Sequence, residues 1–173
     1  MKSKMLQVKK STIKKIISNK RKLESNLKVK ININGNNLEF EGDSVDIYTT
    51  ERVIGALDKN FSMNIALLLS KPDYIIENIP IKRFTRKTRI MRDIKARIIG
   101  RNAKAIKLIA ELSDCYIVLH DNEVSIIGTF DKIKEAENAI KDLIYGFKHA
   151  KIYDYLEKSR KKYKPDSLGL KNI

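Results

Sequence analysis

The stretch from Arg97 to Lys104 combines the residue types that hold a phosphate backbone. Gly100 has no side chain, so a polyanion can come close to the main chain at that point. Two helical patterns meet there, and the free N–H groups at the start of the second helix donate hydrogen bonds to phosphate oxygens. Arg101 and Lys104 add positive charge. The spacing therefore predicts an anion-binding loop between two helices, although Gly100 and Asn102 could serve only as helix caps.

The rest of the sequence contains little that could catalyse a reaction. A single cysteine, Cys115, excludes an internal disulfide and a paired-cysteine metal site, and the only imidazoles are those of His120 and His149. No acidic residue forms a recognisable pair with a Lys, Ser or Cys nucleophile, and the common nucleotide-binding and hydrolase motifs are absent. We therefore predict no catalytic residues, no metal site and no cofactor, with Cys115 in the core.

Charge alternates in zones along the 173 residues, which carry a net charge of +15. Residues 1–30 hold 11 basic side chains and one acidic, and residues 82–107 hold 11 basic against Asp93 alone. The segments 31–81 and 108–147 are net acidic. Positive potential concentrated in this way is typical of a protein that binds polyanions. The alternative is a set of Lys-rich helices whose faces are simply solvated.

Strand and helix patterns place the Gly100 loop within a defined order of elements. Ile90, Ile94 and Ile98 show helical spacing, and Asp121-Asn122 reads as a two-residue hairpin turn. Taken together, the patterns predict the order β-α-loop-α-β-β-α. The predicted elements are an edge or opening strand at Tyr74–Ile81, a basic connector at Lys82–Thr88, a helix ending at Gly100, a helix to about Leu112, strands at Cys115–Leu119 and Val124–Ile127, and a helix that is capped by Thr129 or Asp131 and has Phe147 on its apolar face.

A weaker copy of the same order precedes it. Ile13–Ser18 resembles Lys95–Gly100, and Asn34–Gly42 resembles His120–Gly128, although a chance match of Ile/Lys/Asn-rich strings is the alternative. This copy predicts a strand at Leu6–Val8, a short helix at Ile13–Ile17, a basic loop at Ser18–Arg21, a hairpin at Asn34–Asn37, and helices at Tyr48–Leu57 and Phe61–Ser70, the last with Ser62 as its N-cap. We predict an α+β protein divided into a first module with a linking helix at 1–71, a second module at 72–147, a C-terminal helix at 148–164 and a disordered tail at 165–173.

The loop and the element order resemble those of the KH domain, whose GXXG loop clamps about four nucleotides of RNA. The resemblance implies two tandem KH-like modules (β-α-α-β-β-α), of which the first is degenerate because Ser18–Arg21 contains no glycine. The fourth loop position is Ala103, and we expect it to open the next helix with φ near −60°. Ile98, Ile99 and Val118 are candidates for the groove floor, or for plain core. The residues predicted to bind RNA are Arg89, Arg92, Lys95, Arg97, Ile98, Ile99, Gly100, Arg101, Asn102, Ala103, Lys104 and Lys107.

Within the KH proteins, the chain resembles the archaeal branch of the partner-of-Nob-one ribosome-assembly factors. The segments that carry the resemblance are Arg97–Leu112 with the strands Tyr116–Leu119 and Val124–Gly128, the helix Asn60–Leu68, and the C-terminal segment Gly146–Glu157. A KH-containing relative of another small-subunit processome factor is also similar over Gly100–Gly128. The family resemblance implies binding near the 3′ end of small-subunit rRNA, with the rRNA-maturing endonuclease and other assembly factors as partners.

We therefore predict a non-enzymatic, single-stranded RNA-binding protein of small-subunit assembly, with basic arms at 1–30 and 82–97 that hold phosphates. The alternatives are a general KH protein of RNA decay or mRNA binding, a metal-dependent nuclease, and a protein scaffold with a vestigial KH fold. The longest apolar run, Ile65–Leu69, is far shorter than a membrane helix requires, and the N-terminus has no apolar signal-peptide core. These features predict a cytoplasmic protein that does not enter a membrane.

Overall fold

The computed structural model describes residues 2–163, and the predicted tail at 165–173 lies outside them, as does Lys164. The chain divides into two compact units, with the boundary between Ile76 and Glu77, inside a strand (Tyr74–Pro80) that belongs to the sheet of the second unit. Each unit has a three-stranded sheet covered by helices. This arrangement confirms the predicted α+β class and the predicted pair of KH-like modules.

The first unit has the strand order β1-β3-β2, so β3 lies in the middle of its sheet. Its strands are antiparallel, and β2 and β3 form a hairpin whose turn residues are Gly35 and Asn36, within the predicted turn. The elements are β1 (Lys2–Gln7), α1 (Lys10–Leu27), β2 (Lys30–Asn34), β3 (Asn37–Gly42), α2 (Ser44–Asp58), α3 (Met63–Ala66) and a 3₁₀ turn (Leu67–Ser70).

The core of the first unit follows from two sequence periodicities. Strand β3 alternates in burial, so Leu38 and Phe40 face the helices and are completely buried. Helix α1 contributes Ile16 and Leu23, and α2 contributes Leu57. These side chains are apolar and shielded from water, which is the main source of stability for a unit of this size.

The predicted loop at Ser18–Arg21 is wrong, because α1 continues through it as one helix with a kink. Asn19 has φ −126° and ψ 16°, and it is the single non-helical residue within α1. The Ser18 hydroxyl donates to the carbonyl oxygen of Lys14 at 3.0 Å, and the Asn19 amide donates to that of Lys15 at 2.9 Å. Side chains therefore satisfy the backbone locally, and without glycine the chain bends but does not open into a loop.

The helix predicted at Phe61–Ser70 is shorter than expected and is divided into α3 and the 3₁₀ turn that follows it. The predicted N-cap is confirmed, since the Ser62 hydroxyl oxygen accepts a hydrogen bond from the Ile65 N–H at 3.4 Å. The cap fixes where the helix starts, and a tighter 3₁₀ turn ends it.

The second unit contains the predicted β-α-α-β-β-α order followed by a C-terminal helix. Its sheet has the order β4-β6-β5, so β4 is an edge strand as predicted. The elements are β4 (Tyr74–Pro80), a 3₁₀ turn (Ile81–Arg83), α4 (Thr88–Ile99), a 3₁₀ turn (Arg101–Ala103), α5 (Lys104–Ser113), β5 (Tyr116–His120), β6 (Glu123–Thr129), α6 (Phe130–Tyr145) and α7 (His149–Tyr163).

The apolar faces predicted for α4 and α6 are confirmed as core, with two exceptions. Ile94 and Ile98 of α4 and Ile140 of α6 are buried, but Ile90, at the start of the predicted face of α4, is 42% exposed. Phe147 is not part of the α6 face, because α6 ends at Tyr145 and Gly146 takes a left-handed conformation with φ +93°. Strand β6 also runs one residue past Gly128, where it was predicted to end, and Thr129 then occupies the N-cap position of α6 without a side-chain cap hydrogen bond.

Cys115 lies in the core of the second unit, as predicted, and it packs against Gly128. A Cβ atom built on Gly128 would lie 2.5 Å from the Cys115 Sγ, so only glycine fits opposite the sulfur. Burial of the thiol raises the pKa of Cys115 from 9.0 to about 11. A buried thiol with so high a pKa is inert, which agrees with a packing role.

We expect Cys115 to react with iodoacetamide at pH 8 at least about 100-fold more slowly in the folded chain than in urea. The raised pKa alone lowers the thiolate fraction by about that factor, and burial slows access further. Alkylation followed by mass spectrometry measures both rates. Rates that agree within about tenfold would show that Cys115 is accessible and that this part of the core opens readily.

Candidate nucleic-acid interface

The loop between α4 and α5 is a single tight turn of four residues, Gly100 to Ala103. Helix α4 ends at Ile99, Gly100 has φ +71° and ψ 175°, and a 3₁₀ turn leads directly into α5. Asn102 and Ala103 also have positive φ, at +53° and +59°. The Ala103 N–H is hydrogen-bonded to the Gly100 carbonyl at 3.3 Å, which closes the turn. Positive φ is uncommon for residues other than glycine, and strained backbone of this kind often occurs at functional sites.

Gly100 is required at its position for two independent reasons. Its φ of +71° suits glycine, and a Cβ atom there would lie 2.5 Å from the Ala105 Cβ and 2.9 Å from the Ala105 nitrogen. The last turn of α4 therefore rests on the first turn of α5. Gly100 is the C-cap of α4, but the proposed N-cap role of Asn102 is wrong, because Ala103 occupies the N-cap position of α5.

The expected conformation of Ala103 is also wrong. In place of φ near −60°, Ala103 has φ +59° and ψ 22°, a left-handed conformation that is unfavourable for any residue with a Cβ. The connection between the two helices is only four residues long, and three of them, Gly100, Asn102 and Ala103, have positive φ. Ala103 thus holds a position at which the GXXG pattern has glycine, and it carries backbone strain there.

Most of the cations predicted at this site are exposed and lack acidic partners. None of them forms an ion pair with a carboxylate of residues 2–161. Their positive charge is therefore available to a ligand. The residues in question are Arg89, Arg92, Arg97, Arg101, Lys104 and Lys107.

Lys95 differs from the other predicted cations because it is already engaged. Its ammonium group donates to the Asp121 carbonyl oxygen at 3.3 Å and to the Asn122 Oδ1 at 3.1 Å. Lys95 therefore ties α4 to the turn between β5 and β6. This contact sets the position of the turn relative to the helix that carries the Gly100 loop.

The three apolar candidates for the groove floor differ in how deeply they are buried. Ile98 is completely buried and belongs to the core, whereas Ile99 is 39% exposed beside Gly100. Val118 on β5 is half-buried. Ile99 and Val118 can therefore meet a base, while Ile98 supports the loop from beneath.

The sequence did not reveal how closely α7 approaches this site. His149, at the start of α7, has its Nε2 atom 3.0 Å from the carbonyl oxygen of Arg97 in the last turn of α4. That carbonyl would otherwise lack a helical partner. Sequence proximity gave no signal for this contact, since 52 residues separate the two.

The described residues contain no cluster of His, Cys, Asp and Glu that could hold a metal ion. None of their helices has the length and apolar character needed to cross a membrane. The candidate site is an exposed, cationic loop with a strained backbone.

Comparison with known proteins finds a family model that matches the second unit and related proteins that match most of the chain. Residues 75–161 match the model of the second KH domain of PNO1, described as a eukaryotic-type KH domain (KH-domain type I). The KH domain-containing protein MJ0443 of Methanocaldococcus jannaschii is 29% identical over 151 residues, which cover 84% of this chain. The RNA-binding protein pno-1 of Caenorhabditis elegans is 24% identical over 139 residues, or 75% of this chain. The chain spans 66% and 50% of the lengths of these two curated relatives.

A solved structure shares the fold over nearly the whole chain. It is a chain in the crystal structure of an a/eIF2alpha-aDim2p-rRNA complex from Pyrococcus horikoshii, with a TM-score of 0.81 and 24% identity. The match covers 93% of this chain and 95% of that one. At this level of identity the likeness concerns the fold.

We expect Gly100→Ala to lower the free energy of unfolding by about 2 kcal/mol or more, because the new methyl would clash with Ala105 at positive φ. Ala103→Gly should instead raise it by about 0.5–1 kcal/mol, since glycine relieves the strain at φ +59°. Urea denaturation measures both changes.

Ala96→Gly is the matched control for Ala103→Gly, because Ala96 is exposed and lies inside α4 with ordinary helical geometry. It should lower stability by up to about 1 kcal/mol. If Ala103→Gly lowered stability as much as Ala96→Gly, Ala103 would not be strained in solution.

Proposed function

Because the chain belongs to the partner-of-Nob-one family of KH-domain proteins, we propose that it binds single-stranded RNA and acts in assembly of the small ribosomal subunit. We place its RNA near the 3′ end of small-subunit rRNA. The observation that carries the proposal is the Gly100–Ala103 turn, which combines a bare backbone with exposed cations that lack acidic partners. RNA backbone is the polyanion that such a loop clamps in KH domains.

In the proposed mechanism the turn contributes shape and the helices contribute charge. Gly100 presents no side chain, so a phosphate can approach the main chain, and N–H groups at the start of α5 point toward it. Arg101 and Lys104 follow directly and neutralise phosphate charge. The remaining predicted RNA-binding cations on α4 and α5 add affinity that depends on salt.

Base contacts in this proposal come from the half-exposed apolar residues beside the loop. Ile99 and Val118 provide a surface against which unstacked bases can pack, and Ile98 holds that surface in place from the core. KH domains read about four nucleotides in this way. Asn102 lies exposed at the tip of the turn, where its amide can reach a phosphate or a base edge.

The first unit has a different part in this proposal. Its α1 has no glycine turn at Ser18–Arg21. This helix therefore offers no bare main chain against which an RNA backbone could lie. Lys20 is also close to Glu24, with 3.8 Å between Nζ and Oε1. We propose that this unit contributes charge through the basic arm at residues 1–30 and does not clamp nucleotides.

The proposed partners follow from the family and from the names of the relatives. The P. horikoshii structure contains rRNA and a/eIF2alpha beside aDim2p, and the nematode relative is called an RNA-binding protein. We propose small-subunit rRNA, the endonuclease that matures it and other assembly factors as partners of this chain. We further propose that it acts in the cytoplasm and that it has no catalytic activity of its own.

Replacing Arg101 and Asn102 with Asp should weaken RNA binding at least about tenfold. The two carboxylates would repel phosphate oxygens at close range, and both positions are exposed, so the thermal midpoint should change little. Fluorescence anisotropy with single-stranded RNA from the 3′ region of small-subunit rRNA, at about 0.1 M salt, measures the affinity.

The matched control is Lys134→Asp with Asn138→Asp on the exposed side of α6, which changes the net charge by the same amount. It should weaken binding by less than about threefold, through the change in overall charge alone. Equal losses from the two double variants would mean that the Gly100 loop is only a helix junction.

Crosslinking with sequencing in cells should place most of the bound RNA on small-subunit rRNA. Crosslinks concentrated near the 3′ end would match the proposed site of action. The Arg101→Asp, Asn102→Asp variant should lose these crosslinks while remaining folded. Reads spread across many mRNAs would instead identify a general KH protein of mRNA binding or decay.

A further inference from the structure

A second cationic surface lies beside α4, on the side where this helix faces the end of α6. An open groove on this surface is formed by the connector before α4, by α4 and by the last residues of α6. We call it the Phe84–Tyr145 groove. It is lined by Arg83, Phe84, Ile90, Ile94, Ile144 and Tyr145, together with Thr85.

Two aromatic rings form one wall of the groove. Tyr145 is 67% exposed although it is a large ring at the end of a helix. Phe84 holds it edge to face, with 5.6 Å between ring centroids and an interplanar angle of 81°. The ring of Tyr145 is thus fixed in orientation but open to solvent, which is the condition for stacking a base at low entropic cost.

The one charged residue among those that line the groove is cationic, Arg83. No acidic residue occurs between Asn78 and Arg92, and the cations of this segment form no ion pair with the carboxylates of residues 2–161. Hydrophobic rings beside uncompensated cations suit a polyanion that also has flat apolar faces. The cations are Lys82, Arg83, Arg86, Lys87, Arg89 and Arg92.

Arg97, in the last turn of α4, lies close to the end of α6 and three residues before Gly100. A Cβ atom built on Gly146, next to Tyr145, would lie 3.5 Å from the Arg97 Nη1, so this guanidinium reaches the end of α6. Phe147 follows, 43% exposed, with the Lys151 ammonium 5.5 Å from its ring centroid. Helix α4, with 12 residues, is about 18 Å long, which is the length of about five stacked nucleotides.

We propose that the Phe84–Tyr145 groove is a second subsite for single-stranded RNA, separate from the KH loop. One base stacks on Tyr145, Arg83 binds a neighbouring phosphate, and Arg97 links this subsite to the Gly100 turn. An RNA longer than the segment clamped by the loop therefore runs along α4 and gains contacts that a short RNA lacks. The inference rests on the proposed RNA-binding function.

The test compares a 5-nucleotide and a 12-nucleotide single-stranded RNA of the same repeating sequence on the full chain. Tyr145→Ala should weaken the 12-nucleotide RNA at least about fivefold and leave the 5-nucleotide RNA within about twofold, because loss of a stacked base costs at least that much. Tyr145→Phe should retain the wild-type affinity, since the ring is kept. Arg83→Gln should reduce the slope of log affinity against log salt by about 0.7, and only for the longer RNA.

Tyr48→Ala is the matched control, because Tyr48 is a 62% exposed tyrosine on α2 of the first unit. It should change neither affinity. If the wild-type chain binds both RNAs and Tyr145→Ala has no effect on either, the groove is not an RNA subsite and the proposed function still holds. If the wild-type chain binds neither RNA, both proposals fail. If Tyr145→Ala weakens only binding of a Glu/Asp-rich peptide, the groove is a protein-binding site and the inference is wrong.

Discussion

The close contact between Gly100 and Ala105 is the constraint on which the candidate site depends. It leaves no room for a Cβ at Gly100, so α4 and α5 come together after only four intervening residues. So short a connection forces positive φ at Asn102 and Ala103 as well. Burial of Ile98 and Ile109, on either side of the turn, stabilises this strained conformation. A loop that is rigid in this sense presents its backbone to a ligand without first having to be ordered.

In the second unit, the cations of the candidate site differ from charged residues elsewhere in lacking ion-pair partners. Away from the loop, two acidic residues have basic partners: Asp114 lies 2.6 Å from Lys132, and Glu137 pairs with Lys141 one helical turn away. Along α4 the cations are left without such partners. Like charges on one helix repel and lower stability slightly, and a bound polyanion would compensate them.

The two units show how one pattern of elements gives two different surfaces. At the position of the Gly100 turn, the first unit has Asn19, whose side chain bonds to the preceding turn of its own helix. The carbonyl oxygens of that preceding turn accept side-chain hydrogen bonds, and the helix only bends. In the second unit the glycine removes both the side chain and the steric limit on φ. A difference of a few residues therefore separates a structural kink from an open turn with a bare backbone.

The sequence by itself determined the order of strands and helices, the edge position of β4, the Ser62 cap and the place of the Gly100 turn. Each of these depends on local periodicity or on the backbone preference of a single residue. The tertiary structure alone decided that α1 is continuous, that Ala103 is left-handed, that Ile98 is core and that Lys95 is tied to the β5–β6 turn. It also decided that Phe84 and Tyr145 meet, although 61 positions separate them in the chain. These outcomes arise from contacts between residues distant in sequence, and a local pattern carries no information about which distant side chain will fill the space beside it.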